Sequence, residues 1–291
     1  MGCHMKKISS GNCSPIFFRK PFLITGKRGI TVFRETSPDS FEEYYHTSKI
    51  KDVEFFCSYN DTVFAKNSSG EFLIYDFNSN DIISGFKYEQ NLVPVEINFC
   101  SLSEFEIFDI AYSKSGHTVC NIIDICKKEI RSETIPLDPK YKISSVVFEK
   151  TKDICYLTLF NSKEKGQLIL CHVNIRDLSM SFEKIDRPPE WVVFYDPTVM
   201  ISRKQSCAVV KTNAHEYVFE SKNGGCFIKA KAIDNKHLAL IYSNEIAILN
   251  PYKTGIIEAF PIIFASDICR DNKRIFLSSW KGLYIQNNVL L

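Results

Sequence analysis

A short pattern recurs along this chain and limits the folds open to it. In each copy a glycine or asparagine precedes an apolar segment of four to seven residues, which ends at an aspartate, asparagine or glutamate. The mean spacing of the copies is (282 − 29)/6, or about 42 residues, close to the length of one four-stranded propeller blade. The seven copies begin at Gly29, Gly70, Gly116, Gly166, Asn213, Asn244 and Gly282.

The residues of each copy have a clear structural interpretation. The glycine or asparagine supplies a positive φ in a tight turn between the second and third strands of a blade. The apolar segment then forms a strand that is buried on both faces, and the terminal polar residue opens the next turn. Short segments rich in Ile, Val, Phe and Tyr, separated by polar turns, fill the rest of the chain, and helical periodicity is scarce.

We therefore predict an all-β fold, a seven-bladed β-propeller with four-stranded antiparallel blades. It is expected to form a single domain over residues 8–291. Two stacked β-sandwiches or a β-helix are the alternative folds, but neither accounts for seven copies at this spacing. The expected blades cover residues 8–50, 51–90, 91–138, 139–188, 189–225, 226–261 and 262–291.

The two ends of the chain are predicted to close the ring. Residues 262–291 hold three strand segments, so the last blade needs a fourth strand, which we expect from the segment KKISS near the N-terminus. The preceding pair His4-Met5 resembles the remnant of a cloning site. We therefore expect residues 1–7 to be an expression scar and a disordered N-terminus.

One copy of the pattern resembles the strand signature of the WD-repeat propellers. Gly70-Glu-Phe-Leu-Ile-Tyr75-Asp76 has the spacing of the family's Gly-x-Ile-x-Val-Trp-Asp, with Tyr75 in place of the tryptophan. The likeness extends over residues 8–291 but is degenerate, since the Trp-Asp pair never occurs and the Gly-His dipeptide before the first strand is missing. The resemblance implies the propeller fold and a protein-interaction scaffold, without the family's Asp–His–Ser/Thr–Trp hydrogen-bond network.

Composition argues against several classes of protein. Thirty-six Lys and Arg against 34 Asp and Glu give a formal charge of +2, which does not favour a nucleic-acid partner. The 11 cysteines stand singly without a C-x-x-C pair, so we expect buried, reduced thiols rather than zinc ligands or disulfides. No secretory signal and no apolar run of the ~18–20 residues of a membrane span is visible. We expect a cytoplasmic monomer without a membrane span.

No sequence motif for catalysis or for a bound cofactor occurs. The chain lacks a phosphate-binding loop, a dinucleotide fingerprint, an H-E-x-x-H zinc motif, a G-x-S-x-G nucleophile elbow and an EF-hand loop. We expect no cofactor and no metal, and we favour a non-enzymatic scaffold or adaptor. The alternative is a propeller hydrolase or lyase with its active site at the mouth of the central channel, because such sites are assembled from several blades.

The turns between second and third strands share one face of a propeller, and here they are rich in lysine. Positive turns favour a partner protein with an acidic or phosphorylated segment, and an exposed tryptophan is a common binding hot spot. The candidate binding residues on this rim are Lys27, Arg28, Lys66, Lys114, His117, Lys165, His215, Trp280 and Lys281.

Each of these candidates also has a purely structural interpretation. Lysine is common in exposed turns of any protein, and Trp280 can pack between blades. We call the glycine or asparagine that begins each copy the anchor residue. His117 and His215 follow the anchor residues of two blades and could lie near one rim, so a shared metal or an acid–base pair is one hypothesis. Solvated turn histidines are the alternative.

Overall fold

The computed structural model describes residues 5–149, 152–161, 167–186, 192–196, 198–234, 236–253, 255–271 and 274–287. The chain divides into two compact units, which we call the terminal unit (residues 1–52 and 198–291) and the central unit (residues 53–197). The expectation of a single domain over residues 8–291 stays a prediction.

The strands of the terminal unit come from both ends of the chain. The N-terminal strands are β1 (Lys6–Ser10), β2 (Ile16–Arg19), β3 (Phe22–Thr25), β4 (Ile30–Ser37) and β5 (Ser40–Thr47). The C-terminal strands are β20 (Val199–Lys204), β21 (Cys207–Thr212), β22 (Glu216–Phe219), β23 (Phe227–Ala232), β24 (Leu238–Tyr242), β25 (Glu245–Leu249), β26 (Ile256–Pro261), β27 (Ala265–Asp271), β28 (Arg274–Ser279) and β29 (Gly282–Gln286).

The strands of the central unit follow one another without interruption. They are β6 (Val53–Tyr59), β7 (Thr62–Asn67), β8 (Glu71–Asp76), β9 (Asp81–Lys87), β10 (Leu92–Pro94), β11 (Cys100–Ser101), β12 (Glu106–Ser113), β13 (Thr118–Asp124), β14 (Glu129–Thr134), β15 (Tyr141–Glu149), β16 (Ile154–Asn161), β17 (Gln167–Asn174), β18 (Met180–Asp186) and β19 (Val192–Asp196).

Strand pairing arranges these elements into seven sheets, the blades of a seven-bladed propeller. They are blade 1 (β2-β3-β4-β5), blade 2 (β6-β7-β8-β9), blade 3 (β10-β12-β13-β14, with β11 also on β12), blade 4 (β15-β16-β17-β18), blade 5 (β19-β20-β21-β22), blade 6 (β23-β24-β25-β26) and blade 7 (β27-β28-β29-β1). Apart from β1, every strand falls within its predicted blade. The predicted all-β, seven-bladed propeller with four-stranded antiparallel blades is confirmed.

The N-terminal strand completes blade 7, as predicted. β1 pairs antiparallel with β29, from Lys6 opposite Ile285 to Ser10 opposite Gly282. The approach is close, since a Cβ atom on Gly282 would lie 2.5 Å from the carbonyl oxygen of Ser9. The assignment of Lys6 and its neighbour at position 7 to a disordered N-terminus is therefore wrong, because their backbone is paired in this strand.

The recurring apolar segments form strands that are buried between neighbouring blades. In the terminal unit, β25 is buried along its whole length, and its Ile248 packs in one cluster with Ile268 of blade 7. In the central unit, Ile122 of β13 in blade 3 shares a cluster with Val173 of β17 in blade 4. Burial on both faces explains why these strands read as continuous apolar runs instead of alternating ones.

The cysteines of the central unit act as small apolar side chains. Cys120, Cys155 and Cys171 lie in the core between blades 3 and 4, and all ten cysteines within the described ranges are free. Burial raises the pKa of the Cys171 thiol to about 12, which suppresses the reactive thiolate near neutral pH. These three thiols are buried, as expected, whereas Cys126 and Cys226 are exposed.

The sequence pattern places one of its seven anchors in the wrong turn. Asn213 lies between β21 and β22, the third and fourth strands of blade 5. The turn between the second and third strands contains Gln205, which has a left-handed φ of 56°. With Asn213 as the anchor of blade 5, the spacings to Gly166 and Asn244 are 47 and 31 residues. With Gln205 in its place, they are 205 − 166 = 39 and 244 − 205 = 39. Left-handed glutamine is uncommon, so a search for glycine or asparagine misses this turn.

Lys66 is a buried ion-pair partner and not an exposed rim residue, which corrects the sequence-based expectation. Its side chain is fully buried, and its Nζ lies 2.6 Å from Asp109 Oδ1. The same ammonium donates to the carbonyl oxygens of Val95 at 2.9 Å and Ile97 at 3.3 Å, so all three N–H bonds have acceptors. The Tyr88 hydroxyl donates to the other Asp109 oxygen at 2.8 Å. This network joins blade 2 to blade 3.

We expect Lys66→Met to destabilise the protein by about 3–5 kcal/mol, because it leaves the carboxylate of Asp109 buried without its cation. The free energy of unfolding, measured by urea denaturation, provides the test. Lys114→Met is the matched control, since Lys114 is exposed in a turn of the neighbouring blade and its loss should change stability far less. An equal loss of unfolding free energy in the two variants would contradict a stabilising role of the buried Lys66–Asp109 pair.

Asp267 makes a comparable contact in the terminal unit, where it joins three blades. Its carboxylate accepts hydrogen bonds from Lys231 Nζ of blade 6 at 2.5 Å and from the backbone N–H of Ile16 of blade 1 at 2.9 Å. Burial by itself raises the pKa of Asp267, but the charges of Lys231 and Lys229 and these hydrogen bonds outweigh it and hold the pKa below its usual range.

The lowered pKa of Asp267 predicts a pH dependence of stability. Because the folded-state pKa lies below the unfolded value of about 3.9, the contribution of Asp267 is present above about pH 4 and is lost as the pH falls through the folded-state pKa. We expect Asp267→Asn to lower the free energy of unfolding at neutral pH, and the difference from wild type to shrink in acid. Urea denaturation across this range measures both, with the exposed Glu216→Gln as control. A difference that does not vary with pH would contradict the prediction.

Candidate functional site

Strand direction decides which loops of a blade lie together. In an antiparallel blade, the turn between the second and third strands lies at the same end as the crossover that leads into the first strand. In the terminal unit we call this end the crossover end. It includes the turns 26–29, 243–244 and 280–281 and the crossover 262–264. The turns between first and second and between third and fourth strands lie at the opposite end.

Large apolar side chains are exposed at the crossover end of the terminal unit. The rings of Phe264 and Trp280 are stacked, with centroids 5.5 Å apart and an interplanar angle of 16°. Trp280 is 64% exposed, Phe264 47% and the adjacent Ile263 54%. We call these three residues the aromatic patch. The exposure of Trp280 excludes the alternative that it packs between blades, and a surface of this kind is typical of a binding site.

The backbone of Phe264 is held in an unfavourable conformation. Its φ is 59°, a left-handed value that is a genuine outlier for a bulky side chain. Two hydrogen bonds fix it there, since the Phe264 N–H donates to the Ser243 carbonyl at 2.7 Å and its carbonyl accepts from the Trp280 N–H at 3.3 Å. Such strain tends to persist where the surrounding structure imposes it for a function.

Three basic side chains belong to the crossover end. Lys281 Nζ is 5.8 Å from the centroid of the Phe264 ring, and the Lys281 carbonyl accepts a hydrogen bond from the Gly11 N–H at 3.3 Å. Lys7 lies beside the same turn, since a Cβ atom on Gly282 would be 2.7 Å from its Cε, and Arg28 stands in the turn 26–29. We call Lys7, Arg28 and Lys281 the basic rim; all three are exposed.

Lys27, next to Arg28 in the same turn, has a different environment. Its Nζ lies 3.4 Å from Asp52 Oδ1, also in the terminal unit. In the described part of the chain no ion pair forms with Lys7, Arg28 or Lys281. Lys27 is therefore partly neutralised, while the basic rim keeps its charge available.

The remaining predicted site residues do not all occupy equivalent turns. Lys114 is exposed in the turn between β12 and β13 of the central unit, and His117 is partly buried with Nδ1 3.1 Å from the Leu137 carbonyl oxygen. His215 lies between the third and fourth strands of blade 5, so its assignment to a second–third turn is wrong. Lys165 lies outside the described residues. His117 and His215 therefore come from opposite kinds of turn, which removes the argument for an acid–base pair.

The opposite end of the terminal unit carries a compact ion-pair cluster. His237 Nδ1 lies 2.8 Å from both carboxylate oxygens of Asp234, and Arg270 of blade 7 contacts the same carboxylate. Burial acts to raise the pKa of Asp234, but the hydrogen bond from His237 and the charge of Arg270 hold it below its usual range. Because one carboxylate is shared by two partners from two blades, the cluster serves as a clamp between blades 6 and 7.

Two further findings bear on the class of site. Across the ranges that the structure covers, no group of three or more His, Cys, Asp or Glu side chains is arranged to hold a metal ion. Within the same ranges, no helix has the length and apolar character needed to cross a bilayer.

Comparisons with known proteins bear on the fold. No family model matches the chain, and no curated protein matches its sequence. The β-propeller domain of Cps50 (Swd1) from Myceliophteria thermophila aligns with a TM-score of 0.69 at 12% identity, covering 99% of this chain and 100% of that one. The computationally designed Ika8 protein aligns with a TM-score of 0.60 at 8% identity, covering 98% and 100%. These likenesses confirm, at the level of fold, the predicted resemblance to WD-repeat propellers.

Sequence reasoning found part of the crossover-end site and missed part. It selected Trp280, Lys281 and Arg28, because the turn positions follow from the strand pattern. The first of the three strand segments expected in residues 262–291 is IIFASDI, which would place Ile263 and Phe264 in a strand, whereas β27 begins at Ala265. Periodicity cannot distinguish the last crossover residues from the first strand residues when both are apolar.

The strained backbone of Phe264 predicts an unusual order of stability among its variants. We expect Phe264→Gly to be more stable than Phe264→Ala by about 1 kcal/mol, because glycine adopts a left-handed φ without the Cβ clash. Urea denaturation of the two variants measures the difference.

Trp280 provides the control, since its backbone does not have a positive φ. There the order should reverse, with Trp280→Gly less stable than Trp280→Ala. The same order at both positions would contradict the strain at Phe264.

Proposed function

We propose that the protein is a non-enzymatic interaction adaptor, which binds an acidic or phosphorylated segment of another protein through the crossover end of its terminal unit. The single observation that carries the proposal is the exposed, stacked pair of Phe264 and Trp280 beside the basic rim. The free, buried thiols of the core fit a reducing cytoplasmic setting, and the proposed adaptor needs no cofactor.

The aromatic patch supports binding of a protein surface. Tryptophan is enriched among the residues that dominate the energy of protein interfaces, especially where an aromatic side chain is desolvated by the partner. Here Trp280 and Phe264 expose large apolar area in water, and two backbone hydrogen bonds hold Phe264 in place. A rigid patch loses little conformational entropy when a partner covers it.

The basic rim supports the choice of an acidic partner. Lys7, Arg28 and Lys281 bring three positive charges to one region of a chain whose formal charge is only +2. Complementary charge around an apolar patch raises the association rate and disfavours partners of the wrong sign. An acidic segment therefore fits this end of the unit better than a basic or neutral one.

We expect reversal of two rim charges to abolish partner capture. Tagged wild-type protein and the double variant R28E/K281E are compared in affinity capture from an extract of the source organism, with quantitative mass spectrometry as the readout. Proteins enriched by wild type should fall at least about tenfold with R28E/K281E, and higher salt should weaken their capture, since exposed charge pairs are screened.

A matched control separates the location of the charge from its amount. The double variant K236E/K253E makes the same change in net charge at the opposite end of the terminal unit, where both lysines are exposed. It should capture the same proteins as wild type. Capture that is retained by R28E/K281E, or lost equally in both double variants, would reject the crossover end as the docking surface.

A further inference from the structure

We infer that the crossover end recognises a short extended segment in which one large apolar side chain is flanked by carboxylates, and that Phe264 determines this specificity by presenting the ring on which the apolar side chain lies. The inference rests on the proposed function and adds the chemistry of the bound segment. It is argued from three features of the site: the geometry of the rings, the backbone of Phe264 and the composition of the basic rim.

The geometry of the ring pair favours an apolar side chain as the central contact. Phe264 and Trp280 are nearly parallel, at 16°, and Lys281 Nζ lies 5.8 Å from the centroid of the Phe264 ring. Both aromatic residues still expose a large apolar area, since Phe264 is 47% and Trp280 64% exposed. Ile263 extends this surface along the crossover and is 54% exposed. A single Leu, Ile, Met, Phe or Trp side chain laid on these residues would remove apolar area from water on both partners.

The backbone conformation indicates that the ring of Phe264 is kept for a role at the surface. A crossover residue with a φ of 59° is accommodated best by glycine or asparagine, yet this chain has phenylalanine there, with its ring 47% exposed. Strained residues of this kind cluster at binding sites, which supports a role for the exposed ring in contact with a partner.

The composition of the basic rim favours carboxylates over a phosphate group. The rim contains one arginine, Arg28, together with Lys7 and Lys281. Recognition of a phosphorylated residue relies on a cluster of arginines that forms several bonds to one group. One arginine and two lysines beside an apolar patch match single carboxylates along a segment.

The test uses peptides of known sequence as the probe. A displayed library of random 12-residue peptides is selected on the wild-type protein. The enriched peptides are synthesised with a fluorescent label, and their dissociation constants are measured by fluorescence polarisation. We expect enriched peptides to carry one large apolar residue with at least two Asp or Glu within a few positions. Replacing that apolar residue by Ala, or the acids by Asn and Gln, should each weaken binding about tenfold or more.

Variants of the protein locate the contacts. Phe264→Gly and Trp280→Ala should each weaken peptide binding about tenfold or more, and Phe264→Gly should do so in a protein that is at least as stable as Phe264→Ala, which separates loss of the ring from loss of the fold. Tyr252→Ala is the control, since Tyr252 is 52% exposed in a turn at the opposite end of the terminal unit. It should leave the dissociation constants within about twofold.

The outcomes separate this inference from the proposed function. Peptides that bind Phe264→Gly as tightly as wild type, but lose affinity for R28E/K281E, overturn the inference and leave the docking surface in place. Tighter binding, by about tenfold, of peptides with phosphoserine in place of the acids would also overturn the inference and leave the docking surface in place. A selection that yields no peptide dependent on Phe264, while R28E/K281E still loses its captured proteins, would lead to the same conclusion. Peptides unaffected by both Phe264→Gly and R28E/K281E overturn both proposals.

Discussion

A four-stranded blade has two apolar faces, and in this chain a neighbouring blade must cover them. This constraint accounts for the most prominent features of both units. In blade 6 the third strand, β25, is buried along its whole length and carries its apolar side chains in a continuous run. The same constraint accounts for the pairing of β1 with β29, which gives blade 7 the fourth strand that the C-terminal segment lacks. The blade is thus a unit of sequence that is stable only beside its neighbours.

Buried charge lies at the same interfaces between blades. Lys66 of blade 2 reaches Asp109 of blade 3 in the central unit, and Lys231 of blade 6 reaches Asp267 of blade 7 in the terminal unit. Both carboxylates are also hydrogen-bonded by a second donor, Tyr88 in one case and the backbone of Ile16 in the other. Such contacts tolerate little change in the distance between blades, because a buried charge without its partner is costly.

A docking surface on such a fold is most easily built where the strands end. The faces of the sheets are occupied by neighbouring blades, while turns and crossovers contribute little to the core and can vary. The crossover 262–264 illustrates this freedom, because its strained Phe264 and exposed Ile263 are held by backbone hydrogen bonds to adjacent turns. The same exposed strain at the centre of a blade would disturb the packing of two sheets.

Much of the fold could be predicted from the sequence, and less of the candidate site. Anchors such as Gly70 and Gly116 were recognisable because a turn with positive φ selects glycine, but Gln205 adopts a left-handed φ without being glycine or asparagine, and Asn213 took its place in the count. Lys66 was misjudged for a related reason. It stands one residue before the end of β7, where strand alternation and the position of the neighbouring blade decide whether a lysine meets water or a carboxylate.

The sequence by itself determined the number of blades, their boundaries and the joining of the two chain ends, because these depend on the periodic order of apolar and turn-forming residues along one chain. It also determined that Trp280 and Lys281 share a turn. Only the tertiary structure decided that Phe264 stacks on Trp280, that Lys7 lies beside Gly282, and that Lys66 is buried. Each of these depends on contacts between residues far apart in sequence, and no local pattern of residue types records such contacts.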